Sequence, residues 1–346
     1  MKKFGSLNLY SGRPTLIAEA GVNHGCKMKQ ALKYVQLAKE AKVDAIKFQT
    51  YKAEKIVSKI SPAYWDLSQE KLKSQYKLFK KFDKFNFSDY QKLFLECKKN
   101  NILFMTSLFD VESVNIYDKF LKIYKISSSD INNIPLLREI GKKNKYTIIS
   151  SGAATIKEIK TAIRELSLPK KKICIMHCVL NYPTKYFDAN LNYIKVLKKN
   201  FPGYLIGYSD HTYADTSLTV IDMAYKLGAQ IIEKHFSHNK KIRGNDHYHS
   251  ADKKDFINFY KILKIRKSVL GKFSKNLKKE SKSIKFARRS IFAKQNINKD
   301  KKLKVEDIIT LRPGNGISAS NWDIVLKYRA KKFIPKHKKI LWSDLT

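Results

Sequence analysis

Short apolar runs recur eight times along the chain, and nearly every one ends in polar side chains. They are Leu16-Ile17-Ala18-Glu19, Ala45-Ile46-Lys47-Phe48-Gln49, Ile102-Leu103-Phe104-Met105-Thr106-Ser107, Ile123-Tyr124-Lys125-Ile126-Ser127-Ser128, Thr147-Ile148-Ile149-Ser150-Ser151, Ile173-Cys174-Ile175-Met176-His177-Cys178, Leu205-Ile206-Gly207-Tyr208-Ser209-Asp210-His211 and Ile231-Ile232-Glu233-Lys234-His235. Between them, residues 28–41, 88–99, 134–143, 155–166 and 215–227 carry apolar residues at helical spacing. Ser88, Thr155 and Asp215 stand where helix caps belong, and Gly228 marks a helix end. Eight strands alternating with helices, all loaded at the same end, predict an α/β fold, the (β/α)8 TIM barrel, whose site lies at the strand ends.

At 346 residues the chain exceeds the roughly 250 of such a barrel, leaving room for one small further domain. A basic stretch opens at Gly271 and suits a solvated linker or extended arm. Beyond it Ser290-Ile291-Phe292-Ala293, Lys304 to Ile309, Arg312-Pro313-Gly314-Asn315-Gly316 and Lys338-Lys339-Ile340-Leu341 read as short β units broken by turns. The expected division is a barrel over 1–270, a basic linker over 271–286 and a small β-rich domain over 287–346. After the second run the connection is long, and Ser61-Pro62-Ala63-Tyr64-Trp65-Asp66 ahead of a Lys-rich helix is a candidate lid and specificity element.

Seventy Lys and Arg against 30 Asp and Glu give a net charge of +40. The excess is mostly Lys spread over helix faces, so it reads as compositional bias plus attraction for an anionic substrate, with no specific nucleic-acid partner. No charged-then-apolar leader opens the chain, and no apolar run reaches the roughly 18 residues of a membrane helix. A soluble, cytoplasmic protein with no membrane partner is expected. Cys26, Cys97, Cys174 and Cys178 lack the paired CxxC units of a structural zinc site and read as reduced thiols.

Strand alternation puts Lys47 and Gln49 on one face, with Ile46 and Phe48 on the other. A Lys inside a barrel mouth is costly unless it meets an anion; an acidic neighbour such as Glu19 is the internal alternative. Lys125 repeats the pattern, and hydroxyls converge on the same end from Thr106, Ser107, Ser127, Ser128, Ser129, Ser150, Ser151 and Ser209. Lys plus hydroxyls suits phosphate or carboxylate. His211 and His235, on adjacent strand tips beside Asp210 and Glu233, are candidate metal ligands. A divalent ion there, such as manganese, would polarise a carbonyl. The stretch Gly244-Asn245-Asp246-His247-Tyr248-His249-Ser250 reads as a polar loop, or its Asp246 holds a polyol hydroxyl.

Taken in order, these residues resemble the sialic acid (N-acetylneuraminate) synthase family, including the legionaminic and pseudaminic acid synthases. Ala18 to Gly25, Lys47-Phe48-Gln49, Tyr124 to Ser128, His177-Cys178 followed by Tyr182-Pro183, Gly207 to His211, Glu233-Lys234-His235 and Gly244 to His247 carry the likeness, as do Ala287-Arg288-Arg289-Ser290 and Arg312 to Ser318. The resemblance implies an antifreeze-like (SAF) domain at the C-terminal end. It further implies a phosphoenolpyruvate site of Lys47, Ser107, Lys125, Ser128, Ser150 and Ser209. The implied metal ligands are His211 and His235, for Mn2+ with Mg2+ or Co2+ as alternatives. Glu19, Gln49, Tyr182 and Asp246 would meet an N-acyl hexosamine, with Arg312 reaching into the other subunit of a domain-swapped homodimer. Glu19, Lys47 and Lys125 would be the catalytic groups.

Two departures stand out. Thr106-Ser107-Leu108-Phe109-Asp110 replaces the family's usual Ser-Thr-Pro-Phe-Asp, leaving Thr106 or Ser107 to meet phosphate, and Leu180 stands where the family often has a small polar residue. Either Asn181 substitutes for that residue or one hydrogen bond is lost. The rivals are a sugar-acid synthase acting on a phosphorylated sugar, as in octulosonate 8-phosphate synthases, and an inactive sugar-binding or nucleic-acid-associated homologue.

Overall fold

Every one of the eight runs forms a strand. The computed structural model describes residues 2–244 and 246–346, so Asn245 of the Gly244 to His247 stretch lies outside the described residues. Two compact units divide the chain, Met1–Val269 and Leu270–Thr346. In the first, a hairpin of β1 (Lys2–Phe4) and β2 (Leu7–Leu9) precedes β3 (Thr15–Gly21), β4 (Ala45–Thr50), β5 (Leu103–Leu108), β6 (Ile123–Ile126), β7 (Tyr146–Ser150), β8 (Ile173–Cys178), β9 (Leu205–Asp210) and β10 (Ile231–His235). Strands β3 to β10 run parallel in chain order, and pairing of β10 with β3 closes the barrel.

Helix positions follow the apolar spacing, with two capping differences. Thr155 caps Ile156–Leu166 in a reciprocal pair with Glu158, and Gly228 ends Thr219–Leu227 at φ +108°, as expected. The helix Phe87–Lys99, however, is capped by Asn86 together with Asp89 rather than by Ser88. Asp215 sits four residues ahead of its helix and accepts from Ser217 N at 2.8 Å and Thr219 N at 3.1 Å, so it shapes the entry turn instead.

Outward strand residues such as Leu16, Ile46, Phe48 and Tyr124 pack with the surrounding helices in one large core. Inside the barrel, Ile17, Ala45, Met105, Ile123, Ile148, Cys174 and Ile231 form an apolar layer joined by Phe4 and Leu7 of the hairpin. That hairpin was not legible in the sequence, because three-residue strands are too short to show a period. Two residues further along the strands the interior changes character: Glu19, Lys47, Ser107, Lys125, Ser150, Ser209 and Glu233 replace apolar side chains and are all buried. The apolar layer makes the barrel stable, and the polar layer above it is where chemistry can be done.

The second unit has its own core, including Ile291, Ile297, Ile308, Val325, Ile334 and Ile340. β11 (Ser290–Ala293) pairs antiparallel with β12 (Ile308–Leu311), while the stretch at 338–341 makes isolated bridging contact through Lys339 and Phe292 rather than a strand. Part of the expected linker is helical: a short turn at Leu277–Glu280 leads into the helix Ser281–Ala287. Among the described residues no helix is long and apolar enough to cross a membrane.

Candidate active site at the barrel mouth

The polar layer is a charge network. Lys47 Nζ contacts Glu19 Oε2, lies 3.7 Å from Glu233 Oε1 and donates to Ser107 Oγ at 3.0 Å. Lys125 Nζ donates to the same Glu233 Oε1 at 3.2 Å, and Ser209 Oγ donates to it at 3.3 Å. Gln49 Nε2 donates to Glu19 Oε1 at 3.1 Å. Within the chain, therefore, the two lysines meet the internal carboxylates that sequence alternation offered as the alternative to a bound anion. Glu233, which the sequence placed beside the histidines, instead joins the two lysines.

Burying such charges is tolerable only because they are paired. Burial works against the charge of Glu233, but Lys125 and Lys47 outweigh it and hold that carboxyl below its ordinary value. Burial also opposes the Lys47 charge, and Glu19 and Glu233 more than restore it. Glu19 goes the other way: burial raises it to about 7 against the pull of Lys47. The contact between Lys47 and Glu19 thus favours charge on one partner and neutrality on the other, because Lys47 has a second carboxylate to answer it and Glu19 has a single close cation. Two carboxyls whose environments drive them apart in this way divide into a fixed anion, Glu233, and a group able to exchange a proton near neutrality, Glu19.

The sign of the linked stability follows. The folded chain keeps on Glu19 a proton that the unfolded chain releases above about 4.5, so this contribution is greatest at low pH, falls as pH rises from 4.5 towards 7, and is then flat. Denaturant unfolding at about pH 5 and about pH 7.5 should therefore show a smaller loss of stability for Glu19→Gln than for the wild type. Equal losses would contradict a raised Glu19.

The hydroxyls sort by strand face. Ser107 turns inward to Lys47, whereas Thr106 pairs with Thr50 across the outer face at 2.8 Å. Ser150 Oγ is buried without a hydrogen-bond partner among the described residues. Ser128 Oγ accepts from Gly152 N at 3.0 Å, and a Cβ on Gly152 would come within 2.7 Å of that oxygen, so glycine is what lets the two strand ends approach.

Above the charged layer Gln49, Ser128, Tyr182, His235 and Asp246 line one cavity. The segment after β4 also borders it through Tyr64, Trp65, Asp66 and Glu70, in the place expected of a lid. It is braced by Trp65 Nε1 donating to Leu72 O at 3.1 Å and by the Tyr64 ring 6.4 Å from that of Tyr182. Leu180 faces the cavity while Asn181 is exposed, so Asn181 does not take the small polar residue's place.

The Tyr182 ring lies 4.2 Å from that of His211, tilted by 35°, and the His211 ring lies 5.2 Å from that of His235. His211 Nδ1 faces Val179 O at 2.7 Å, which assigns its proton to Nδ1 and leaves the Nε2 lone pair for a ligand. His235 Nδ1 is buried and lacks a hydrogen-bond partner among the described residues, 3.5 Å from Asp246 Oδ2. These nitrogen and oxygen donors fit a divalent transition ion. Asp210 is not among them: it turns to the outer face, 2.8 Å from the buried Lys234. His249, which sequence reasoning left in a polar loop, lies here instead, grouped with His235 and Asp246. The density of histidines in that loop was the one available signal. Arg312 belongs to the second unit, where it is exposed just after β12.

Known proteins share this barrel and the domain after it. Residues 34–275 match the NeuB family and residues 288–346 the SAF domain. The chain is 36% identical to the uncharacterized protein MJ1065 of Methanocaldococcus jannaschii, covering 99% of this chain and 98% of that one. It is 35% identical to the N,N'-diacetyllegionaminic acid synthase of Campylobacter jejuni, covering 92% and 96% respectively. The crystal structure of N-acetylneuraminic acid synthetase from Leptospira borgpetersenii superposes with a TM-score of 0.66 at 31% identity, covering 81% of this chain and 94% of that one. With a barrel whose mouth carries this polar layer and most of its length matched, the chain belongs to the NeuB family and ends in a SAF domain.

Proposed function

We propose that this protein is a nonulosonic acid synthase that condenses phosphoenolpyruvate with an open-chain N-acylated hexose, giving a nine-carbon 2-keto acid and phosphate. N-acetylmannosamine and a dideoxy-diacetamido hexose are the candidate sugars, and the likeness to the legionaminic acid synthase puts the second first. The observation that carries this reading is the pair of buried lysines, Lys47 and Lys125, set in a ring of hydroxyls beneath the cavity. Their charges and those of Glu19 and Glu233 sum to zero, so a substrate bearing both phosphate and carboxylate needs further positive charge. A proton on Glu19 supplies part of it.

Lys47, Ser107, Lys125, Ser128, Ser150 and Ser209 would hold the phosphate and carboxylate, and Gln49, Tyr182 and Asp246 the sugar. His211 and His235 would hold a divalent metal, Mn2+ before Mg2+ or Co2+, which when bound polarises the sugar aldehyde. C3 of phosphoenolpyruvate attacks the aldehyde carbon, and Glu19 gives its proton to the aldehyde oxygen as the new C–C bond forms. Water adds to C2 and returns a proton to Glu19. The tetrahedral intermediate then collapses to the 2-keto acid, phosphate leaving with cleavage of the C–O bond and carrying the hydroxyl proton. Lys47 and Lys125 compensate the charge that develops on phosphate.

Phosphate release from phosphoenolpyruvate, measured over a panel of free and phosphorylated sugars, tests this reading. Turnover is expected on an unphosphorylated N-acyl hexose; turnover confined to phosphorylated sugars would assign the protein to the octulosonate type of chemistry.

Arg312 would reach the sugar in the barrel of a second copy within a domain-swapped homodimer. Arg312→Ala should then raise the KM for sugar about ten-fold or more, as loss of a charge-assisted contact does, with kcat less affected. Mixing Arg312→Ala chains with Lys47→Met chains should raise turnover at sugar well below the variant's KM, because one of the two composite sites is then intact. No restoration on mixing would contradict the shared site.

A further inference from the structure

The imidazole of His249 has no employment in the mechanism above, yet it is fully buried and, among the described residues, neither of its ring nitrogens has a hydrogen-bond partner. A buried polar group left in this state is destabilising, so an unpartnered imidazole beside other donors points to a ligand. Its ring lies 5.0 Å from that of His235, and its Nε2 lies 3.8 Å from Asp246 Oδ1. Ligand atoms of His235, Asp246 and His249 all fall within 4.8 Å of one another. Donors at about 2.0–2.2 Å from a common ion span up to about 4.4 Å, so a small contraction closes this group on one cation.

The position is held by backbone rather than by chance. Ala251 N donates to His235 O at 2.8 Å and Ser237 N to Ala251 O at 2.9 Å, which ties the return of the loop to the end of β10. His247, two residues before His249, is fixed by Ser237 at 2.8 Å. Burial keeps His235 and His249 neutral, the form in which imidazole binds metal.

We propose that His249 is a metal-ligating residue of this chain, adding with Asp246 two protein donors to the His211 and His235 pair for a divalent transition ion. Such a donor set retains its ion when no substrate is present, and an added imidazole strengthens binding of Co2+ as well as of Mn2+. Metal ligation by His249 rests on the barrel-mouth site of the proposed synthase, but its test contains neither phosphoenolpyruvate nor sugar.

Metal-free full-length protein is titrated with Co2+ alone, followed by visible absorption, in the wild type, His249→Ala, His249→Gln and His247→Gln. Wild type and His247→Gln are expected to bind one Co2+ with the same spectrum, while both His249 variants bind at least about ten-fold more weakly with an altered band. The metal-free melting temperatures separate this loss from misfolding, and the Gln variant is the one read if Ala does not fold. Wild-type affinity and spectrum in His249→Gln, or no Co2+ binding by the wild type, would overturn the assignment. Failure of turnover on every sugar, with Co2+ binding still dependent on His249, would instead overturn the synthase reading and leave the ligand in place.

Discussion

Lys47→Met is expected to lower kcat/KM for phosphate release by about a thousand-fold or more, the scale of loss when a group that stabilises developing charge is removed. Stability should fall as well, by about 3–5 kcal/mol, because one buried cation is taken from two buried carboxylates. Glu19 loses its contacting cation, and Glu233 keeps Lys125 as its ion-pair partner. The two effects can be separated. In the double variant Lys47→Met with Glu19→Gln the unpaired carboxylate is gone, so most of the stability should return; turnover is read in Lys47→Met alone, well below its melting temperature. Wild-type turnover in Lys47→Met would mean that Lys47 serves the fold only and would remove the anion site from the account of function.

His235→Ala is the second large effect. Its Nδ1 is buried without a partner among the described residues, close to both Asp246 and His211, so its removal takes a donor from the middle of the metal-fitting group. Loss of Lewis-acid assistance is worth several kcal/mol, and every 1.4 kcal/mol is ten-fold in rate, so turnover should drop by about a thousand-fold. Chelator should silence the wild type to the same level, and added Mn2+ should restore the wild type and leave His235→Ala inactive. Full activity of the chelated wild type would show that the reaction needs no metal.

Most of the barrel was legible because each strand run is bounded and apolar, and because period-two alternation says which side chains share a face. That alternation placed Lys47 and Gln49 together and separates inward Ser107 from outward Thr106 once the register is known. It failed where a side chain's partner is set by tertiary contact. Alternation also sets Asp210 out of phase with His211 and Glu233 in phase with His235, but nothing in the spacing says that their partners are Lys234 and the two lysines. His249 was missed for a related reason: it stands in a loop without periodicity, and its nearness to His235 follows from the bridge between Phe236 and Ala251, a contact 15 residues apart in sequence. Caps follow the same division, since Thr155 had its glutamate three residues on, while Asn86 displaced Ser88 by virtue of Asp89.

The central claim is the condensation itself, and the direct measurement uses phosphoenolpyruvate labelled with 18O at the bridging C–O oxygen, incubated with the protein, Mn2+ and the diacetamido hexose or N-acetylmannosamine. Mass spectrometry should find a nine-carbon 2-keto acid without the label and phosphate carrying it. Label retained in the organic product, or no condensed product from any unphosphorylated hexose while the protein remains folded, would contradict it.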